Sequence, residues 1–290
     1  MSGVRLSRRA LLRAAAPAAG FAVATAASGG AKAAPKPELW ARWQAHDPAA
    51  DTAIDHDAWD RLLAAYSVPG RDGITRFAYA RLAASPDRNR LDDYVAGLAG
   101  VPISDHSRGQ QLAYWLNLYN ALTVKLILDH YPVASIRDID ISPGLFADGP
   151  WGRPLLSVEG EAVSLDDIEH RILRPIWADP KIHYGVNCAS LGCPNLPPRA
   201  FRSGTTERML DQGGRAFVNH PRGARVDAGR LVVSSIYVWF QEDFGGSDAG
   251  VIEHLGRYAQ PPLARALTGV ARIADHDYDW SLNNAAAPAP

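Results

Sequence analysis

The sequence predicts an α+β fold: a helical N-terminal half packed on a small, mostly antiparallel sheet. Three observations predict it. Apolar residues recur at helical spacing through the first half, with Leu112, Leu116, Tyr119, Leu122, Leu126 and Ile127 forming the longest stripe. After Pro150 the period shortens toward that of strands, and Glu159-Gly160 and residues 227–229 read as hairpin turns. Helices come first and then mix with hairpins, the order of α+β and not of a doubly wound sheet.

Residues 1–33 read as an export leader ahead of that fold. Arg8-Arg9 is followed by Leu11-Leu12, by a weakly apolar run over 14–27, and by Ala31-Lys32-Ala33, a cleavage site of the A-x-A type. This is the order of a twin-arginine signal, and its apolar run is too short and alanine-rich for a membrane span. The expected product is periplasmic or extracellular, with no stable membrane insertion once the leader is cut. A single α+β domain is expected over 34–284, and the alanine- and proline-rich 285–290 is expected to be a disordered tail.

Trp59, Leu62, Leu63 and Tyr66 place a first helix ahead of Gly70, and Leu91, Tyr94, Val95 and Leu98 place a second. The longest helix is expected over 108–129, closed by Pro132. Segments 155–158 and 161–164 flank the Glu159-Gly160 turn as strands. Ser164, with Asp167 three residues on, is the expected cap of a helix carrying Glu169 and His170. Residues 181–188 alternate and read as a strand. A second hairpin is expected at 224–226 and 231–233, followed by short helices at 237–244 and 250–258 and a last strand near 270–274.

Residues 1–33 hold five basic side chains and no acidic ones, so 34–290 carries 25 basic against 31 acidic residues, a formal charge of −6. That balance lacks the basic footprint of a nucleic-acid partner and fits a small-molecule or peptide substrate. Two cysteines cannot build a disulfide scaffold, and no cofactor is expected.

Both cysteines lie in one run, His183-Tyr184-Gly185-Val186-Asn187-Cys188-Ala189-Ser190-Leu191-Gly192-Cys193, closed by Pro194. Three chemistries are open to it. Cys188, leaving a strand into small, turn-forming residues, can be a nucleophile activated by nearby N–H groups. Cys188 and Cys193 can close a disulfide, over a loop too small to add much stability through chain entropy. His183, Cys188 and Cys193, with His170, can be weighed as metal ligands, but their gaps differ from the two-residue spacing of structural zinc ribbons, and no metal is assigned.

Under the first chemistry His183 is the nearest base. Positions 183 and 188 of a straight strand face opposite sides, so the chain must turn near Asn187. His170 is the alternative base. Glu169 is the orienting acid, since its neighbour His170 points elsewhere on the helix. Asn117 and Asn120 share a helix face and, with Asn187, are candidate donors to a substrate oxyanion. The alternative for such buried amides is a clamp on neighbouring backbone.

Six stretches together resemble the bacterial and plant proteins grouped as domain-of-unknown-function family 547. They are 114–123 (YWLNLYNALT), 168–173 (IEHRIL), 183–194 (HYGVNCASLGCP), 217–219 (FVN), 239–244 (WFQEDF) and 278–283 (YDWSLN), in the family's order. The resemblance implies an α+β domain likened to thiol hydrolases, with a Glu-His-Cys triad that falls here on Glu169, His183 and Cys188. The expected function is a cysteine-nucleophile hydrolase or acyl transferase acting on a peptide or amide. Histidine ahead of cysteine would fit a permuted papain-like arrangement, because a triad is defined by geometry. The alternative is a non-catalytic ligand-binding module of the cell envelope with structural cysteines.

Overall fold

A helix that is apolar nearly all round has to be covered all round, and helix packing around such an axis organises the first half of the fold. The computed structural model describes residues 35–143 and 149–285, within one compact unit that spans 34–290. The expected leader at 1–33 and residues 286–290 of the expected tail lie outside the described residues. Helix α1 (Asp57–Tyr66) is followed by the short hairpin β1 (Ser67–Pro69) and β2 (Thr75–Phe77), then by α2 (Tyr79–Ala83) and α3 (Asp87–Ala99). The axis is α4 (Arg108–His130), in which every residue over 110–124 is buried. Trp59, Leu62, Leu63 and Tyr66 of α1 and Leu91, Tyr94, Val95 and Leu98 of α3 supply the apolar faces packed around it.

The hairpin β3 (Leu156–Val158) and β4 (Glu161–Val163) turns through Glu159 at φ 46° and Gly160 at φ 84°, the paired positive φ of a type I′ turn. Ser164 then starts the next helix as a reciprocal cap: its Oγ accepts from Asp167 N at 3.1 Å, and the Asp167 carboxylate accepts from Ser164 N at 3.0 Å. The helix widens into a π-helical segment, Asp167–Leu173, before α5 (Arg174–Trp177).

Residues 181–188 are not a strand. Pro180–Tyr184 forms a 3-10 turn, started by Asp179, whose side chain accepts from Lys181 N, and by Pro180 at its first position. The alternation in the sequence has a different cause. Ile182 and Val186 pack into the apolar cluster around α4, and Tyr184 packs into a second cluster. The segment therefore threads between two cores instead of crossing a sheet.

That second core is built by α6 (Thr206–Val218), β5 (Ala224–Asp227), β6 (Arg230–Ser234), α7 (Ser235–Trp239), α8 (Asp248–Tyr258), α9 (Pro261–Leu267) and β7 (Ile273–Asp277). Among the described residues the sheet expected to be single is three small ones, two hairpins and a three-stranded sheet β5-β6-β7, antiparallel except where β7 runs parallel to β6. The last strand begins at Ile273, beyond the expected 270. The expected helix over 237–244 divides at Phe240 (φ −112°) into α7 and a 3-10 turn, Gln241–Phe244. Helix α6 lies outside the expected elements and is shared between the two cores, Leu210 packing into the first and Phe217 and Val218 into the second. At Gly214 a Cβ would stand 2.9 Å from the Tyr184 ring. Ala285, placed with the tail by composition, is buried and donates to Phe77 O at 2.9 Å.

Candidate active site

Asparagine side chains fix the loop that carries the cysteines. Asn120 on α4 donates to Gly185 O at 2.8 Å and accepts from Asn187 N at 2.9 Å. Asn187 donates to Pro194 O at 2.7 Å and accepts from Ala189 N at 2.9 Å, a local turn that holds Ala189 at φ 60°. Asn117 makes the same two-way clamp on Phe201, at 2.8 and 2.9 Å. All three amides tie backbone, and none of these N–H donors faces a sulfur.

The C-terminal segment 278–285 straps the loop from the other side. Leu191 N donates to Ser281 O and Gly192 N to Asp279 O, each at 2.8 Å, and Asn283 N donates to Ala189 O at 2.9 Å. Gly192 permits this approach: a Cβ there would lie 2.9 Å from Asp279 N and from the Tyr278 ring.

Loop and strap enclose two free thiols, Cys188 half-buried and Cys193 buried, with their Sγ atoms 2.6 Å apart. Cys193 Sγ accepts from Cys188 N at 3.0 Å and from Tyr278 Oη at 3.1 Å. Cys188 Sγ lies 3.1 Å from Tyr278 Oη and 3.3 Å from Ser190 Oγ, and those two hydroxyls are 2.7 Å apart. Burial opposes a thiolate at Cys193, but hydrogen bonds from the Cys188 thiol, Tyr278 and the Cys188 N–H outweigh it and bring Cys193 down to about 6. The hydrogen bond to Cys193, and then burial, push Cys188 well up. The pair therefore holds one proton and one negative charge at neutral pH.

A second buried polar chain centres on His183. His183 Nε2 lies 2.7 Å from Asp243 Oδ2, and His183 Nδ1 lies 3.7 Å from Glu169 Oε1. The imidazole stacks on Phe240 with centroids 4.3 Å apart, and the Phe244 ring lies 5.3 Å away. Arg174 grips Asp243 through Nε and Nη2 at 2.6 and 3.1 Å. Tyr119 Oη donates to Glu169 Oε2 at 3.0 Å. Burial lowers His183, against the hydrogen bond and charge of Asp243 that raise it. The close carboxylate assigns the proton to Nε2, leaving the Nδ1 lone pair toward Glu169. Burial works to raise Asp243, yet hydrogen bonds from His183 and Arg174 hold it at about 2. Burial raises Glu169 to about 7, against the pull of the Arg174 charge and the Tyr119 hydrogen bond.

The structure thus brings Glu169 to His183 and hydrogen-bonds His183 to Asp243, not to Cys188. His170, the alternative base, has Nδ1 3.1 Å from Arg174 Nη1 and Nε2 3.6 Å from Asp166 Oδ1. Burial, with the Arg174 charge, pushes it down to about 3, so it is neutral. The residues weighed as metal ligands fall into two separate groups, sulfur with sulfur and both imidazoles with the Arg174–Asp243 pair. Among the described residues, no group of three or more His, Cys, Asp or Glu is arranged to hold a metal ion. Tyr119, Arg174, Asp243 and Tyr278 enter the site without having been singled out. Three of them sit in the stretches YWLNLYNALT, WFQEDF and YDWSLN, but single-chain spacing gives no reason to join positions 50 to 90 residues apart.

Residues 103–218 match the model of the family described as a protein of unknown function, DUF547. That span carries Asn117, Tyr119, Asn120, Glu169, His183 and both cysteines, while Asp243 and Tyr278 are supplied from beyond it. No curated protein and no solved structure matches the chain.

Proposed function

We propose that the chain is a thiol enzyme working through the Cys188–Cys193 pair, and that its reaction is thiol–disulfide exchange with a small-molecule or peptide disulfide. The observation that carries this reading is the 2.6 Å approach of two free sulfurs, one of them belonging to the half-buried residue Cys188. Cys188 gives its proton to the Cys193 thiolate, attacks one sulfur of the substrate disulfide and releases the other as a thiolate. Cys193, once deprotonated again, attacks the Cys188 sulfur of the mixed disulfide and expels the second substrate thiol. The products are a Cys188–Cys193 disulfide and two reduced substrate sulfurs, so two electrons pass from the pair to the substrate. The reverse sequence oxidises a dithiol.

Acyl transfer fits this geometry less well. A tetrahedral oxyanion needs donors aimed at it, and the N–H groups of Cys188, Ala189, Leu191, Gly192 and Cys193 already have acceptors. A second reading, the cysteine-nucleophile hydrolase or acyl transferase of a permuted papain-like kind, is favoured by one observation. His183, held between Glu169 and Asp243, lies five residues before the half-buried Cys188. The export reading of residues 1–33 belongs with either; an exported protein would meet its disulfides in an oxidising compartment.

The test is to equilibrate the protein in glutathione redox buffers, trap thiols with iodoacetamide and map adducts by mass spectrometry. A reversible two-electron transition joining Cys188 to Cys193, with exchange lost in both Cys188→Ser and Cys193→Ser, is expected. Two free thiols surviving excess oxidised glutathione would overturn the proposal. Covalent acylation by an activated ester that needs Cys188 but not Cys193 would favour the hydrolase.

A further inference from the structure

One hydroxyl meets both sulfurs. Tyr278 Oη lies 3.1 Å from Cys188 Sγ and 3.1 Å from Cys193 Sγ, and Ser190 Oγ lies 2.7 Å from Tyr278 Oη. Counting protons assigns the donors. The pair holds one proton, and the 2.6 Å contact places it between the sulfurs. A tyrosine hydroxyl has a single proton to give. Tyr278 gives it to Cys193, so the Ser190 hydroxyl donates to Tyr278 Oη. The strap holds this hydroxyl in place. Gly192 N donates to Asp279 O at 2.8 Å, and the Tyr278 ring packs against Trp239 and Trp280, with centroids 4.9 and 4.6 Å away.

Resting on the dithiol reading, we infer that Tyr278 is a catalytic residue of the exchange, whose hydroxyl follows the negative charge between the two sulfurs and sets the redox poise of the pair. In the resting pair the charge is on Cys193, and Tyr278 donates there. When the Cys188 proton passes to Cys193, the charge moves to Cys188. The same O–H, at equal distance, turns to it without moving a heavy atom, so the attacking thiolate keeps a donor. In the disulfide neither sulfur is charged, and the hydroxyl has only a weak acceptor. The strong bond therefore belongs to the reduced state, and a donor that stabilises the reduced state makes the pair more oxidising. Tyr278 neither gains nor loses a proton over the cycle, so the electron and proton count of the exchange is unchanged.

The surroundings keep the hydroxyl a donor. Burial, with the charges of Cys188 and Cys193, pushes Tyr278 well up, so it stays protonated. Among the described residues, the side-chain hydroxyls that touch a sulfur of the pair are those of Tyr278 and Ser190. Other groups bear on the sulfurs through charge alone: Tyr79 from α2, Tyr119 from α4, Glu169 from the π-helical segment and Arg222 from the turn after α6. Burial keeps both tyrosines neutral. Arg222 keeps its charge and donates to Leu191 O at 2.6 Å. Glu169, at about 7, is the one of the four that titrates near the Cys193 step.

Phenylalanine removes the hydroxyl and leaves the ring packed on Trp239 and Trp280. Tyr278→Phe, equilibrated in glutathione redox buffers at pH 7, should shift the equilibrium constant about tenfold or more toward the disulfide, about 30 mV for two electrons. Its thiolate absorbance should rise at more alkaline pH than in the wild type. The shift in equilibrium constant should fade by pH 5, because Cys193, titrating at about 6, is then protonated and the reduced pair is neutral. A packing defect would not fade in that way. Ser190→Ala should move both readings in the same direction by less. The Tyr278→Phe shift should persist in a Glu169→Gln background.

A Tyr278→Phe variant with the wild-type equilibrium constant and thiolate titration, or with a shift equal at pH 5 and pH 7, would overturn the role of Tyr278 alone. Wild-type protein that never forms the disulfide would overturn the dithiol reading beneath it. Raman difference spectra of oxidised against reduced wild type decide the question even if Tyr278→Phe fails to fold. The tyrosine doublet should report one strong donor bond lost on oxidation, and an unchanged doublet would overturn the role of Tyr278.

Discussion

Cys193 is the residue on which the reactivity of Cys188 turns. Its hydrogen bond is the largest influence pushing the Cys188 thiol up, and without it burial is left against the lowering hydrogen bonds of Ser190 and Tyr278. Cys193→Ser should therefore bring the Cys188 thiol down and speed its iodoacetamide labelling at pH 7 while abolishing exchange, read as adduct against time by mass spectrometry. The asparagines separate stability from chemistry. Asn120→Ala orphans the buried Asn187 N–H and Gly185 carbonyl, and Asn117→Ala does the same to Phe201. Each should cost about 2–3 kcal/mol in urea unfolding, but only Asn120→Ala should also slow exchange, because its clamp holds the cysteine loop. The sequence makes both cysteines, Glu169, His183 and the paired asparagines stand out, because these residue types are costly or reactive wherever they are buried. Tyr278 and Asp243 do not stand out. A tyrosine and an aspartate look like core and surface until the fold carries them across 90 and 60 residues to a sulfur and an imidazole.

Elements that pack into one core are legible in the sequence, and elements shared between two cores are not. Helices α1, α3 and α4 and both two-residue hairpin turns follow from spacing and turn chemistry alone. Residues 181–188 satisfy a strand pattern while coiling as a 3-10 turn, because the two cores of the fold mimic the two faces of a sheet. Glycines test how tightly the elements close on the site. A Cβ at Gly192 would meet backbone and ring of the strap at 2.9 Å, neither of which can rotate away cheaply. Gly192→Ala should cost about 1–3 kcal/mol and, by moving Tyr278 off the sulfurs, slow Cys188 labelling. Gly97, exposed in α3, is the control, because a Cβ there would have nothing within 4 Å. Gly97→Ala should raise stability by about 0.5–1 kcal/mol and leave labelling unchanged.

At the scale of the whole molecule, the buried titratable groups oppose one another, and the balance sets how stability depends on pH. Burial lowers His56 to about 4, His170 to about 3 and His254 to about 4, and it lowers His183 as well. The unfolded chain protonates these imidazoles near 6.5. Their contribution is therefore present above that pH and is lost as pH falls toward their folded values. Glu169 works the other way. Its folded value of about 7 lies above the unfolded 4.5, so the folded chain keeps a proton that the unfolded chain sheds, and its contribution is lost as pH rises through that window. Asp166, raised by burial to about 6, acts in the same direction, but its side chain is 40% exposed and solvent screens it. Asp243, held at about 2, matters only in stronger acid. Four histidines outweigh one buried carboxyl and one screened one, so stability should rise with pH from 4.5 to 6.5. Above 6.5 the histidines contribute little further gain and Glu169 still ionises, but the folded chain deprotonates Cys193 near 6 and the unfolded chain near 9, so the rise should continue more gently. Urea unfolding free energies from pH 4.5 to 8 should show this shallower rise above 6.5 in the wild type, and in Glu169→Gln a steeper rise over 4.5–6.5. A wild-type curve that climbs toward acid would mean that carboxyls, and not imidazoles, dominate the buried charge of this fold.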